Sequence, residues 1–340
     1  MSVKSAFKLR MHPHPRFNPL TRVWVLVSPH RTQRPWQGQV ESVSRESALP
    51  FDPNCYLCPG NARAGGARNP QYPETFVFDN DFATLRPDTQ PGEIHENDML
   101  VAQSETGRCR VVCFSPRHDL ALARLSVDDI KRVVDVWAAE YTALGSLPTV
   151  SLVQIFENRG VMMSCSNPHP HGQIWVSDIL PDEPVRELSS FVDYFQKHHT
   201  TLLEDYLSLE LEKRKRIVCA NGHFVAVVPF WAIWPFEIMV LSRRRVGPLP
   251  ELRAAERMAL ADLLRQVAVS IQPSVLLHNG FSSKTDRRTK ASGISSAWAF
   301  LSALATIGNG EEIHGGLRTV GDAAAGHHDR NGGGLFAGNF

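Results

Sequence analysis

The segment Cys165-Ser-Asn-Pro-His-Pro-His-Gly-Gln-Ile-Trp175 gathers residue types suited to moving a phosphoryl group. Alternate residues of an extended chain share a face, so His169, His171 and Gln173 can line one side while Ile174 and Trp175 anchor a strand. An imidazole nitrogen is a good nucleophile near neutral pH, and its phosphoramidate is labile enough to turn over. A departing sugar phosphate is a weak base and needs little help from a general acid. The run therefore predicts nucleotidyl transfer, with His171 attacking the α-phosphorus of a nucleoside diphosphate sugar. Histidines in a proline-rich loop would explain any one of these residues but not the run. Upstream, Cys165 and Ser166, with Ser164 and Asn167, offer small polar groups that could cradle phosphates, although a plain turn also accounts for them. Gln173 is uncharged: its amide can donate to a phosphoryl oxygen and cannot act as an acid that speeds hydrolysis, which favours transfer.

Cys55-Tyr-Leu-Cys58, followed by Pro59-Gly60, has the tight-turn spacing of a zinc knuckle. A closed site needs two more donors, for which His118 and His169 are candidates; two unligated thiols are the alternative. Metal on His169 would brace the backbone two residues before the nucleophile. Arg31 and Arg34, three apart in a basic and aromatic stretch, could pair with a pyrophosphate, or could simply be solvated. Asn80 and Asp81 offer groups for ribose hydroxyls or a base edge, in a pattern that an Asx-rich turn also produces.

These residues need a sheet to hold them. β-rich runs recur at Val23 to Val27, Thr75 to Phe78, Arg110 to Phe114, Leu152 to Phe156, Ile174 to Val176, Phe224 to Val228 and Glu237 to Leu241. Between the third and fourth, Ser126 and Asp129 form a capping-box-like start to an amphipathic helix closed near Gly145. A second helix is expected from about Leu249 to Val269. A strand, a proline-bearing turn and a helix thus occur twice, a weak internal repeat. No second strand and histidine cluster is recognisable after Val269, so the second half reads as incomplete. Of the chain's 23 glycines, 12 fall in the last 70 residues, and that texture predicts loose packing, with only Val275 to Leu277 and Trp298 to Leu304 able to pack. So abrupt a change is what a shifted reading frame or altered splicing would produce. The expected division is 11–180, 181–270 and an atypical tail at 271–340.

The chain of 340 residues is 43% hydrophobic and carries a formal net charge of +1, which provides no field for gathering nucleic acid. No apolar run approaches the roughly 20 residues of a membrane span, and the start lacks a signal-peptide core, so a cytoplasmic location is expected. The six cysteines read as reduced thiols and a metal site rather than a disulfide framework.

Phe17-Asn-Pro-Leu20, Trp24 to Arg31, Arg34-Pro-Trp-Gln-Gly38, Cys55 to Gly60, Phe156-Glu-Asn158, Cys165 to Trp175 and Val228 to Glu237 resemble the galactose-1-phosphate uridylyltransferases of the histidine-triad superfamily. The resemblance runs from residue 11 to about 269. It implies an α+β, histidine-triad-like fold, an antiparallel sheet with packed helices in two related halves. It also implies a ping-pong reaction of galactose metabolism. UDP-glucose would leave its uridylyl group on His171 and release glucose 1-phosphate; galactose 1-phosphate would then take the group to give UDP-galactose. Gln173 would hold a phosphoryl oxygen, with Cys165 and Ser166 near the phosphates, and Arg31, Arg34, Asn80, Asp81 and Asn158 would form the nucleotide pocket. Zinc would sit on Cys55, Cys58, His118 and His169. A second metal, iron or zinc, would use Glu187 with three histidines from the region after 269, where His278, His314, His327 and His328 lack the required spacing. The resemblance further implies a homodimer. The alternatives are an inactive zinc- and UDP-binding relative or a related nucleotide hydrolase or adenylyltransferase; Gln173 in place of a third histidine speaks against hydrolysis.

Overall fold

The computed structural model describes residues 7–33, 49–159, 165, 167–233, 237–271, 276–282 and 300–304. Two ribbons stand apart from the main sheet: β1 (His14–Asn18) with β2 (Val23–Val27), and β4 (Glu93–Glu96) with β5 (Leu100–Gln103). The main sheet is built from β3 (Phe76–Asp79), β6 (Gly107–Cys113), β7 (Leu152–Asn158), β8 (His171–Ser177), β9 (Ile217–Ala220), β10 (Phe224–Val227), β11 (Glu237–Ser242), β12 (Leu276–Ser282) and β13 (Phe300–Leu304). The helices are α1 (Val127–Gly145), α2 (Asp182–His198), α3 (Leu202–Lys213) and α4 (Ala254–Ile271).

Strands run in the order β3-β6-β8-β7-β12-β13-β11-β10-β9, every neighbouring pair antiparallel. The order is symmetric about the β7/β12 pair. In the first half β6, α1, β7 and β8 follow in sequence, with β8 returning beside β6; in the second half β11, α4, β12 and β13 do the same, with β13 beside β11. The sequence repeat is therefore a repeat of fold. The absence of a recognisable strand after Val269 is corrected: the backbone continues through two strands at the middle of the sheet. β12 reads Leu-Leu-His-Asn-Gly-Phe-Ser and β13 Phe-Leu-Ser-Ala-Leu; neither keeps a strict alternation of apolar and polar residues, so periodicity does not mark them. β13 lies within the apolar stretch Trp298 to Leu304 of the tail, whereas β12 overlaps Val275 to Leu277 only in its first two residues. The rest of that tail, with His314, His327 and His328, lies outside the described residues. The sequence also leaves β1, β4, β5, β9, α2 and α3 unmarked.

Ser126 caps α1 as expected, accepting from the Asp129 N–H while the Asp129 carboxylate reaches back to the Ser126 N–H. Its apolar stripe, Ile130, Val133, Val134, Trp137, Tyr141 and Leu144, packs with α4 over one face of the sheet, against Val112, Val153, Ile155, Ile174 and Val176 of the first half and Ala226, Ile238 and Val240 of the second. On the opposite face α3 covers the second half through Leu202, Leu203 and Leu207 against Val225, Val227 and Met239. The Cys55–Cys58 turn covers the outer part of the first half. Close strand approach is required at Gly107, where a Cβ would stand 2.1 Å from the Val176 carbonyl oxygen.

The start of α4 is held by Glu256, whose carboxylate accepts from the Arg253 N–H at 2.8 Å and pairs with the Arg244 guanidinium at 2.7 Å. The Arg244 bond chiefly holds this carboxyl down at about 2, from an ordinary 4.5. A depressed carboxylate stabilises the fold above its unfolded value, and the contribution is lost as pH falls from about 4.5 towards 2. Replacing Glu256 with Gln should lower unfolding free energy at neutral pH by about 1.5–3 kcal/mol. The gap between variant and parent should close through that acid window, as read by urea denaturation.

Candidate active site and metal centre

Cys55, Cys58, His118 and His169 are buried, and their ligand atoms all lie within 4.8 Å of one another. Three parts of the chain meet to do this. The Cys55–Cys58 turn brings the thiols, the turn after β6 brings His118, and the residue before the Pro170-His171 step into β8 brings His169. The Cys58 Sγ is 3.7 Å from Nδ1 of His118 and 3.6 Å from Nδ1 of His169. These donors fit a cation. Burial pushes the His169 ring down to about 4, so it is neutral with a lone pair to give. Burial also pushes the Cys58 thiol up to about 11, so a thiolate there needs a positive charge beside it.

The turn itself is held by side chains that spacing does not reveal. Asn61 donates to the Cys55 carbonyl, Asn69 to those of Tyr56 and Cys58, and the Tyr72 hydroxyl to that of Leu57 at 2.6 Å. All four consecutive carbonyls of the knuckle are thereby fixed. Nε2 of His169 donates to the Ser115 carbonyl at 2.9 Å, with the Tyr72 hydroxyl 3.1 Å away, and this leaves Nδ1 as the ligand atom.

His169 has a second bond. Its backbone carbonyl lies 2.7 Å from Nδ1 of His171. A carbonyl only accepts, so the His171 proton sits on Nδ1 and the lone pair on Nε2. Burial holds this imidazole below the ordinary histidine range; the Arg159 cation acts in the same direction, against the bond to the carbonyl. The ring is thus neutral and half-buried. Gln173, also half-buried, stands on the same side of β8, where its Oε1 accepts from the Trp175 indole at 2.9 Å. Phe156 is opposite Gln173 in the β7/β8 register, and Asn158 ends β7 two residues further on.

A family described as galactose-1-phosphate uridyl transferase matches this chain in both of its parts, the N-terminal domain over residues 5–181 and the C-terminal domain over residues 187–273. A galactose-1-phosphate uridylyltransferase of Haemophilus influenzae is 45% identical over 261 residues, covering 77% of this chain and 74% of its own. The one from Kluyveromyces lactis is 40% identical, covering 84% and 83%. The chain belongs to the galactose-1-phosphate uridylyltransferase family. The rat member is 44% identical, covering 78% of this chain and 70% of its own. Among solved structures, an ADP-glucose phosphorylase from Arabidopsis thaliana superposes with a TM-score of 0.67 at 21% identity, covering 87% of this chain and 89% of the other. A uridylyltransferase superposes at 0.62 with 23% identity, covering 85% and 84%. At these identities the superpositions speak for the fold.

Other residues singled out by the family resemblance are more scattered. Asn80 and Asp81 follow β3; Asn80 caps its own turn by accepting from the Phe82 N–H, and Asp81 is 3.4 Å from the Arg63 guanidinium. Arg63, unmarked by spacing, lies over the Phe78 ring at 4.3 Å and so ties the loop after the knuckle to β3. Cys165 donates to the Asn167 carbonyl at 3.1 Å. Arg31 stands exposed on a short 3-10 turn after β2, and among the described residues no hydrogen bond or ion pair joins its side chain to His171 or Gln173. Arg34 and Ser166 lie outside the described residues. Glu187 is half-buried on α2 with its carboxyl pushed up to about 8, by burial first and by Glu183 second. Among the described residues it joins no cluster of three metal-ligating groups. No helix among them is long and apolar enough to cross a membrane.

Because Tyr72 holds both the knuckle carbonyl and the His169 ring, Tyr72→Phe should weaken metal binding by about 10–100-fold. Competition against a chromogenic chelator reads this directly. Unchanged affinity would show that Ser115 alone fixes the ring.

Proposed function

We propose that the chain, acting in the cytoplasm, transfers a uridylyl group from UDP-glucose to galactose 1-phosphate through a covalent uridylyl-His171 intermediate. The observation that carries this reading is the 2.7 Å contact between Nδ1 of His171 and the His169 carbonyl, which leaves Nε2 as a free nucleophile. In the first half-reaction Nε2 forms a bond to the α-phosphorus while the bond from that phosphorus to the bridging oxygen breaks, and glucose 1-phosphate leaves with the electron pair. The positive charge arising on the imidazole is shared with the His169 carbonyl through Nδ1–H. In the second, a phosphate oxygen of galactose 1-phosphate attacks the same phosphorus and His171 departs as the neutral ring. No net proton transfer is required in either direction.

Gln173 donates its amide N–H to a non-bridging phosphoryl oxygen in both steps, and Cys165 and Ser166 lie along the phosphates. Asn158, at the end of β7, and Arg31, Arg34, Asn80 and Asp81 bind the nucleotide. Cys55, Cys58, His118 and His169 hold zinc. With Zn–S near 2.3 Å and Zn–N near 2.05 Å, a tetrahedral ion would set sulfur and nitrogen about 3.6 Å apart, the separation that Cys58 keeps from both histidines. Zinc there would act as a structural brace on the His169 segment. Glu187 would be one ligand of a second metal, and the working form would be a homodimer, as the family resemblance implies.

Incubation with UDP-glucose labelled in the uridylyl group should leave acid-labile, base-stable label on the protein, with release of glucose 1-phosphate. His171→Ala should lower labelling by at least about 10⁴-fold. Label that persists in that variant would overturn the assignment of the nucleophile.

A further inference from the structure

Gln173 and Trp175 are two residues apart on β8 and project from one face of it. The indole Nε1 lies 2.9 Å from Oε1 of Gln173. An indole N–H donates and never accepts, so only the oxygen end of the amide can face it. That one contact decides which way the amide points. Its carbonyl is turned towards Trp175, and its two N–H groups are presented on the other side.

The indole is itself fixed. Trp175 is 3% exposed and meets Phe156 edge-on, with ring centroids 5.3 Å apart at 80°. Leu85 and Cys109 complete the cluster around these two rings. In the register Cys109 lies opposite Trp175 on one side, and on the other Phe156 lies opposite Gln173. Three strands therefore hold the direction in which the indole N–H is aimed.

We infer that Trp175 is a positioning residue, locking the Gln173 amide so that its N–H groups face the phosphoryl group in transfer; this rests on the reading of Gln173 as the donor to a phosphoryl oxygen. A free primary amide has two orientations of similar energy. The wrong one aims an oxygen at an anionic phosphoryl oxygen. Donors fixed before the reaction avoid reorientation as charge develops, and that is where such a lock acts. The effect belongs to the rate of uridylyl transfer and not to ground-state binding of the nucleotide.

The test is a double-mutant cycle on single-turnover labelling of the full-length protein by UDP-glucose, with Trp175→Phe, Gln173→Ala and the double variant. Gln173→Ala should slow labelling about 100-fold and Trp175→Phe about 10-fold, with half-saturation by UDP-glucose changed less than about twofold. The double variant should be no slower than Gln173→Ala alone, because no amide remains to be oriented. Trp175 replaced by 3-benzothienylalanine, which keeps the ring shape and loses the N–H, should reproduce the Trp175→Phe rate even if that variant folds poorly. Full activity of the benzothienyl protein, or additive losses in the double variant, would overturn the lock while leaving Gln173 as the donor. Full activity of Gln173→Ala, or a parent chain that takes no label, would overturn the reading of Gln173 and the lock with it.

Discussion

His169 performs two tasks with two different parts of one residue. Its ring enters the cluster with Cys55, Cys58 and His118, and its carbonyl holds Nδ1 of His171. A ring fixed at both nitrogens cannot rotate, and with Asn167 Oδ1 accepting the His169 N–H at 2.9 Å the peptide unit that enters His169 is fixed as well. The direction of the His169 carbonyl, and so the tautomer of His171, depends on the metal-ligand cluster some distance away in sequence. The same physics explains why so many hydrogen bonds converge on the knuckle carbonyls. They stiffen a turn whose position is transmitted to the His171 ring.

The sheet supplies the second constraint. β8 is paired on both sides, by β6 and β7, so His171, Gln173 and Trp175 are held in one register against Cys113, Val111 and Cys109, and Gln173 and Trp175 also against Phe156 and Gln154. α1 and α4 bury the other face, and neither blocks the side on which the half-buried histidine and glutamine stand. A rigid β-strand suits the proposed in-line displacement better than a loop, because the nucleophile and the donor must keep their spacing while the phosphorus passes from the leaving oxygen to the attacking nitrogen. The second half repeats the topology around β13, but Phe300-Leu-Ser-Ala-Leu304 has no His-x-His, so the His-Pro-His run occurs once in the duplicated sheet among the described residues.

Local chemistry was the part most legible in the sequence. The run from Cys165 to Trp175 and the Cys55–Cys58 pair each carry their meaning in a few neighbouring residues. The Ser126 cap and the stripe of α1 follow from short-range rules as well. The partners of those residues were not legible. Asn61, Asn69 and Tyr72 act on backbone carbonyls, for which no spacing rule exists, and Arg159 bears on His171 only through space. β12 and β13 carry no strict alternation of apolar and polar residues, so no period marks them as strands. The Trp175 contact lies between the two: its spacing to Gln173 is visible, but that the indole N–H meets the amide oxygen is a fact of rotamers.

The most direct test of the link between metal cluster and nucleophile is the ring tautomer of His171. Long-range proton–nitrogen spectra of the ¹⁵N-labelled, zinc-loaded protein at neutral pH, assigned by comparison with His171→Ala, report it without any turnover. The expected spectrum has the His171 proton on Nδ1 and an unprotonated Nε2. A proton on Nε2 would contradict it, because the nitrogen assigned to attack phosphorus would then have no lone pair to offer.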